Sequence, residues 1–194
     1  MLSLEESLKI LKETNALLEG HFILSSGLHS PQYVQCAQLM SKPSEAFKIC
    51  SSLSEKIKKE FKEFDLILSP AMGGIIVGYE IGRILNKETI FSERVNGEFK
   101  LRRDFTINKN QKVLIIEDVI TTGKSTNECL EKLNQMNINL LGIATIVDRS
   151  NEVLFDNFQI ISLLKIDIPV YDSDNLPDDL EKIKPIKPGS RIIQ

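Results

Sequence analysis

The segment Val113-Leu-Ile-Ile-Glu-Asp-Val-Ile-Thr-Thr-Gly-Lys-Ser125 runs from an apolar stretch into two adjacent carboxylates, Glu117 and Asp118, and then into a hydroxyl-rich turn. A helix starting after Gly123 would offer free backbone N–H groups, and the hydroxyls of Thr121, Thr122, Ser125 and Thr126 would help them cradle a phosphate. The carboxylates call for a different partner: vicinal sugar hydroxyls, a Mg²⁺ ion, or both. Phosphate in the turn with a diol or metal at the acids describes a ribose phosphate. One acid ahead of a helix-capping threonine is as readily plain structure; two acids directly before Thr-Thr-Gly are less easily explained that way. Gly123, Lys124 and Ser125 also match the end of a nucleotide P-loop, but Asp118 stands where that motif needs its first glycine, which rejects Walker-type binding.

Two other segments invite chemistry. Pro70-Ala-Met-Gly-Gly74 sets two glycines where backbone must turn sharply or approach a ligand closely. Residues 91–107 hold Glu93, Arg94, Glu98, Lys100, Arg102, Arg103 and Asp104 around the turn pair Asn96-Gly97, the pattern of a charged hairpin or mobile flap.

These residues need a scaffold, and the pattern of apolar strand, small-residue turn and helix supplies one. Strands are predicted at 66–68, 113–116, 140–147 and 158–164, with helices from the glycines at 73–74 to about Leu85 and from Gly123 to about Met136. The apolar run of the second of these strands stops at Ile116, and the strand is expected to end in Glu117 and Asp118, ahead of the hydroxyl-rich loop. Leu4, Leu8, Ile10, Leu11 and Leu17 predict an amphipathic helix over 3–18, and Pro43 starts a second helix to about Phe61 that buries Phe47, Leu53 and Ile57. Between them, residues 20–38 read as short strands around a loop. Continuous apolar strands alternating with helices require a parallel sheet covered on both faces, whose ligands bind beyond the carboxyl ends of the strands. The loops after Leu68, Ile116 and Val147 should therefore share a crevice.

Composition narrows the function classes. The 194 residues, 42% hydrophobic and 26% charged, suit one sizeable core and not a large multidomain enzyme. A net charge of -3 gives no basic field for nucleic acid or anionic membrane, no apolar run is long enough to span a bilayer, and Glu5 and Glu6 are unlike a secretory leader. A cytoplasmic protein is expected. Cys36, Cys50 and Cys129 are far apart and unpaired in pattern, and His21 and His29 lack metal-pair spacing, so free buried thiols are expected and structural zinc is not.

The segment from Val113 to Ser125 resembles the phosphoribosyl diphosphate (PRPP) signature of the type I phosphoribosyltransferase family. Within it, the orotate-using branch is resembled through Gly20-His-Phe-Ile-Leu-Ser-Ser-Gly-Leu-His-Ser-Pro31, Ser69-Pro-Ala-Met-Gly-Gly74, Phe91-Ser-Glu-Arg94 and Val147-Asp-Arg-Ser150, an ordered set spanning nearly the whole chain. The resemblance implies an α/β, Rossmann-like, mainly parallel sheet flanked by helices, with a small hood (1–40 plus a tail from about 165), a core (43–164) and a mobile β-hairpin flap (93–106) in a single domain. It implies that Glu117, Asp118, Val119, Ile120, Thr121, Thr122, Gly123, Lys124 and Ser125 hold the ribose and 5′-phosphate of PRPP, together with Arg94. Asp118, Lys100 and Arg102 take the catalytic roles, and Thr121 and Arg149 meet orotate, a planar anion that a planar guanidinium fork suits. Residues 30–34 line the base pocket, although Tyr33 is as readily core.

The implied reaction joins orotate to PRPP, giving orotidine 5′-monophosphate and pyrophosphate in pyrimidine nucleotide synthesis. Mg²⁺ would arrive mainly on PRPP, with Glu117 or Asp118 reached through water. Homodimers are implied, with flap cations reaching the neighbouring site, and neither nucleic acid nor membrane as partner. Some family members carry lysines where this chain has Gly73 and Ser25, so pyrophosphate neutralisation falls to Mg²⁺ and to Arg94, Lys100, Arg102 and Arg103. A purine-using relative and a non-enzymatic PRPP-sensing regulator are the rival readings; Arg149 and the hood motif oppose the first, and the acidic balance without a helix-turn-helix opposes the second.

Overall fold

The computed structural model describes residues 1–24, 26–150 and 158–188; Ser25 and the side chains of Ser125 and Lys132 lie outside that set. Helix α1 (Leu4–Glu13) opens on a capping box in which the Ser3 hydroxyl accepts from the Glu6 amide and the Glu6 carboxylate accepts from the Ser3 amide. It ends well before the expected Leu18. Thr14 Oγ1 donates to the Ile10 carbonyl at 2.7 Å, Asn15 turns left-handed at φ 58°, and the Ala16 amide returns to the Leu11 carbonyl. Asparagine tolerates that conformation, so Asn15 stops the helix and releases Leu17 into a strand. Leu4 is correspondingly exposed, against the amphipathic pattern.

Strands β1 (Leu17–Ile23) and β2 (His29–Val34) form an antiparallel pair, followed by α2 (Cys36–Met40) and α3 (Pro43–Glu60). Leu53 and Ile57 are fully buried on α3, but Phe47 is 48% exposed, with the Arg83 guanidinium 5.6 Å from its ring centroid. The main sheet comes next. Strand β3 (Leu66–Pro70) leads into α4 (Gly73–Leu85); β4 (Glu88–Val95) and β5 (Glu98–Leu101) make the hairpin; β6 (Lys112–Ile120) leads into α5 (Lys124–Gln135); β7 (Asn139–Asp148) and β8 (Gln159–Lys165) follow. Spatial order is β5-β4-β3-β6-β7-β8, parallel throughout except for the antiparallel β4–β5 edge.

Alternation along the strands builds two cores. Ile67, Leu114, Ile116, Ala144 and Ile146 face α3 and α4, while Leu66, Leu68, Val113, Ile115 and Ile143 face Cys129, Leu130 and Leu133 of α5. Burial on both faces explains why these strands read as unbroken apolar runs. All three cysteines are free and buried. Among the described residues no helix is long and apolar enough to cross a membrane.

Two strand boundaries differ from the sequence reading. Strand β6 continues to Ile120, because Val119 and Ile120 pair with Val147 and Asp148 of β7, so Glu117 and Asp118 lie within the strand and not at its end. The hairpin's first arm is also a full member of the sheet, pairing with β3 from Glu88 to Ser92.

The tail, which includes α6 (Asp178–Glu181), returns to the first pair of strands. His29 and Tyr171 exchange backbone bonds of 2.8 and 2.9 Å, and Ile186 is bonded to both His21 and Ile23. Buried His21 has Nδ1 2.8 Å from the Ile183 carbonyl and Nε2 2.6 Å from His29 Nδ1. A carbonyl only accepts, so His21 donates from Nδ1 and receives the His29 proton at Nε2. The two histidines are thus a clasp between strands and tail.

Candidate functional site

The strand order reverses direction at β3 and β6: β4 follows β3 on one side, and β6 lies on the other. Ligands in open α/β sheets collect at such a point, beyond the carboxyl ends of the strands. A cleft of about 260 Å³ lies there, lined by residues 70–73, 117–124 and Thr126. The loop after β3 and the loop after β6 are therefore its two walls.

Both walls end on helix starts. Gly123, left-handed at φ 67°, precedes α5, whose first-turn N–H groups have no partner within the helix. Thr121, Thr122 and Lys124 are exposed around it, and this rim is suited to an anion. The opposite wall carries a cis peptide between Ala71 and Met72, then Gly73 at the start of α4. A Cβ on Gly73 would lie 2.6 Å from both Cγ and Oδ1 of Asp118, a spacing no real side chain tolerates. Glycine is what lets the loop close onto the carboxylate.

The two acids have separate surroundings. Glu117 is buried between the helix starts, accepts from Thr126 Oγ1 at 3.3 Å, and has Oε2 3.3 Å from where a Gly74 Cβ would stand. Asp118 turns its carboxylate to Gly73, while its carbonyl accepts from Thr145 Oγ1 at 3.0 Å and from the Cys36 thiol. Burial pushes the Glu117 carboxyl up to about 8, with the Asp118 charge adding and the Thr126 hydroxyl opposing. Burial also raises Asp118, against hydrogen bonds from the Val119 and Asp118 amides.

A stability prediction follows from Glu117. Its folded pKa lies above the ordinary 4.5, so between about 4.5 and 8 the unfolded chain releases a proton that the folded chain retains. Its stabilising contribution is full below that window and is lost as pH rises through it. Glu117→Gln should melt roughly 5 °C above the parent near pH 7.5, with the gap closing towards pH 4.5. Thermal melts of the ligand-free protein across pH check this; a gap independent of pH would contradict it.

Not every expected residue reaches the cleft. Glu117, Asp118, Val119, Ile120, Thr121, Thr122, Gly123 and Lys124 line it. The Thr126 hydroxyl, expected to help hold phosphate, is engaged by Glu117. Arg149, expected in the shared crevice, is not among the lining residues; it stands just beyond β7, its amide donating to the carbonyl of Ile120 on the cleft wall at 2.8 Å. Its Nε is buried without a hydrogen-bond partner among the described residues, and burial lowers its pKa while the Tyr33 phenol opposes the shift. Asp148 shapes this turn, accepting from both the amide and the hydroxyl of Ser150.

The flap cations lie outside the cleft lining and pair with flap or helix acids. Arg94 pairs with Glu128 of α5, donates to the Gly97 carbonyl at 2.8 Å and lies 4.5 Å from the Phe99 ring centroid. Lys100 is 3.4 Å from Glu98, and Arg102 and Arg103 share Glu93. Sequence names Gly73 within a Gly-Gly turn and Thr126 among the turn's hydroxyls, but carries no signal that Gly73 closes onto Asp118 or that the Thr126 hydroxyl faces Glu117.

Residues 38–180 match the phosphoribosyl transferase domain family. A curated relative, the orotate phosphoribosyltransferase of Parvibaculum lavamentivorans, is 43% identical over 190 residues, covering 97% of this chain and 98% of its own. Among solved structures, the orotate phosphoribosyltransferase of Aeropyrum pernix superposes with a TM-score of 0.71 at 23% identity, covering 81% of this chain and 92% of that one. The adenine phosphoribosyltransferase of Thermoanaerobacter pseudethanolicus reaches 0.57 at 17% identity, covering 70% and 88%. The structural likenesses extend the α/β fold across substrate classes, whereas the curated relative matches along both chains almost from end to end. On that match the chain belongs to the orotate phosphoribosyltransferase family.

Proposed function

We infer that the protein transfers the 5-phosphoribosyl group of PRPP to N1 of orotate, giving orotidine 5′-monophosphate and pyrophosphate. Within this family, the observation that carries the base assignment is Arg149: a half-buried guanidinium with an unpartnered Nε, fixed by its own backbone to the cleft wall. A desolvated fork lacking a partner favours a planar anion, and orotate offers carboxylate and carbonyl acceptors. Neutral purines do not replace that charge.

In this reading the 5′-phosphate sits at the start of α5 under Thr121, Thr122 and Gly123, and Asp118 accepts from the ribose hydroxyls. The loop at 70–73 receives pyrophosphate through its backbone. Orotate N1 gives up its ring proton to water and forms the bond to ribose C1′ as the C1′–O bond to pyrophosphate breaks and its electron pair leaves with pyrophosphate. The protein therefore positions the reactants and stabilises the leaving charge; it need not supply a nucleophile.

Mg²⁺ fits the residues present. Among the described residues no three His, Cys, Asp or Glu side chains converge, but Glu117 and Asp118 offer hard oxygens at the cleft. That suits an ion bound by one or two carboxylates and substrate phosphates. When bound it would neutralise pyrophosphate charge; Asp118 would hold it through water, or Glu117 would once it gives up the proton that burial favours.

Arg149→Ala should raise the orotate KM by roughly a hundredfold while changing the PRPP KM little, as expected for loss of a charge-assisted contact to one substrate. Steady-state kinetics with each substrate varied will decide; an unchanged orotate KM would remove Arg149 from the pocket.

The assembly proposed is a homodimer whose flap cations serve the neighbouring site. Met72 (82% exposed), Ile76 and Tyr79 (66%) form a helical stripe beside the cleft, with exposed Phe47 on α3 next to it. A second copy covering that stripe would lie against the pyrophosphate loop. Mixing inactive Lys100→Ala/Arg102→Ala chains with inactive Asp118→Asn chains should restore roughly a quarter of parental activity, since half the dimers would hold one intact site. Ile76→Asp in both chains should abolish the recovery. No recovery without that change would leave the flap acting in its own subunit.

A further inference from the structure

Arg103 and Asp104, just past β5, are both left-handed, at φ 59° and 58°, and the turn closes with the Phe105 amide donating to the Arg102 carbonyl at 3.0 Å. Two consecutive non-glycine residues in that region are disfavoured and persist only where contacts over-determine them. Here those contacts converge on Arg103. Its Nε donates to Glu93 Oε1 at 2.9 Å, its guanidinium lies 5.5 Å from the Phe91 ring centroid, and Phe105 packs edge-on against the same ring at 5.3 Å.

Held by Nε and by one face, Arg103 keeps its two terminal nitrogens unbonded among the described residues. That end is the planar fork that grips phosphate oxygens in pairs. The other flap cations are used differently. Arg94 is turned back onto its own hairpin and Glu128, Lys100 faces Glu98, and Arg102 reaches Glu93 only at 3.7 Å, beyond hydrogen-bond distance. Glu93 itself is 21% exposed on β4, whereas Arg103 is 59% exposed. The acid is anchored and the arginine's far end is free.

Contact between flap cations and pyrophosphate is what the family resemblance implies; within it, we propose that Arg103 is the fork that makes the contact and that Glu93, with Phe91, is the positioning residue that aims it. The proposal rests on the reading that the cleft binds PRPP. The test compares Arg103→Gln, Glu93→Gln, Glu93→Asp and the Glu93→Gln/Arg103→Gln double variant. PRPP binding is measured by calorimetry with Mg²⁺, alongside turnover with PRPP and orotate varied in turn. Arg103→Gln should lower kcat/KM for PRPP about a hundredfold and Glu93→Gln about tenfold, with the double variant no worse than Arg103→Gln alone, because the two act as one unit. The orotate KM should hold, and Glu93→Asp should regain part of the loss. Losses that multiply in the double variant, a Glu93→Gln effect falling equally on orotate, or parental PRPP kinetics in either single variant would overturn the proposal. Absence of orotate turnover in the parent would instead refute the function reading, and the calorimetry would still decide: PRPP affinity lowered in both single variants supports the fork, parental affinity in Arg103→Gln refutes it.

Discussion

Asp118→Asn is expected to reduce turnover by roughly a hundredfold to a thousandfold, the scale for losing one preorganised electrostatic contact in a water-poor site. Asparagine keeps the shape beside Gly73, so the loop geometry survives, but it cannot carry the charge proposed to meet the ribose hydroxyls and the metal. Burial already raises the Asp118 pKa, which means the fold holds that charge at a cost in stability. The variant should therefore melt at or above the parental temperature. A single set of melts and single-turnover measurements separates the two effects; a normal rate would sink the role given to Asp118.

Gly73→Ala should cost roughly a hundredfold in kcat/KM for PRPP while leaving stability within about 1 kcal/mol. The new Cβ would meet the Asp118 carboxylate, which is the far end of a side chain and can swing away. The fold then yields locally and does not unravel, and alanine is the better helix former at the start of α4. What is lost is the close approach of the loop at 70–73, proposed to receive pyrophosphate, to the Asp118 carboxylate, and a displacement of about 1 Å is enough for that magnitude. Kinetics with PRPP varied, together with thermal melts, provide the check. Parental kinetics would show that the approach is not used.

Much of this site was legible before the fold was known, for reasons that lie in particular residues. Strands β3, β6 and β7 declared themselves because both their faces are buried, and Asn96-Gly97 declared the hairpin because its two turn residues must take positive φ, as they do at 52° and 86°. The cleft-lining segment from Glu117 to Lys124 was readable as chemistry because apolar strand, paired acids and hydroxyl turn occur in one continuous stretch. Most of the misreadings share a different cause, since they depended on a partner that only the folded chain brings alongside. Continuation of β6 past the acids is set by β7, exposure of Phe47 by what α4 leaves uncovered, and the Thr126 bond by Glu117 lying behind it. Likewise, the flap's cations looked free in sequence, and only folding brings Glu93 and Glu128 against them. Asn15 is the one local signal that the helical periodicity overrode, because Leu17 continued the apolar stripe from inside a strand.

PRPP and orotate are proposed to meet in the cleft between β3 and β6. Supplying the protein with PRPP and Mg²⁺, together with orotate, uracil, adenine, guanine or hypoxanthine in turn, and measuring pyrophosphate and nucleotide formed decides whether they do. Pyrophosphate release is expected with orotate and with none of the other bases, matched mole for mole by orotidine 5′-monophosphate; release with any other base, or none with orotate, would overturn that reading.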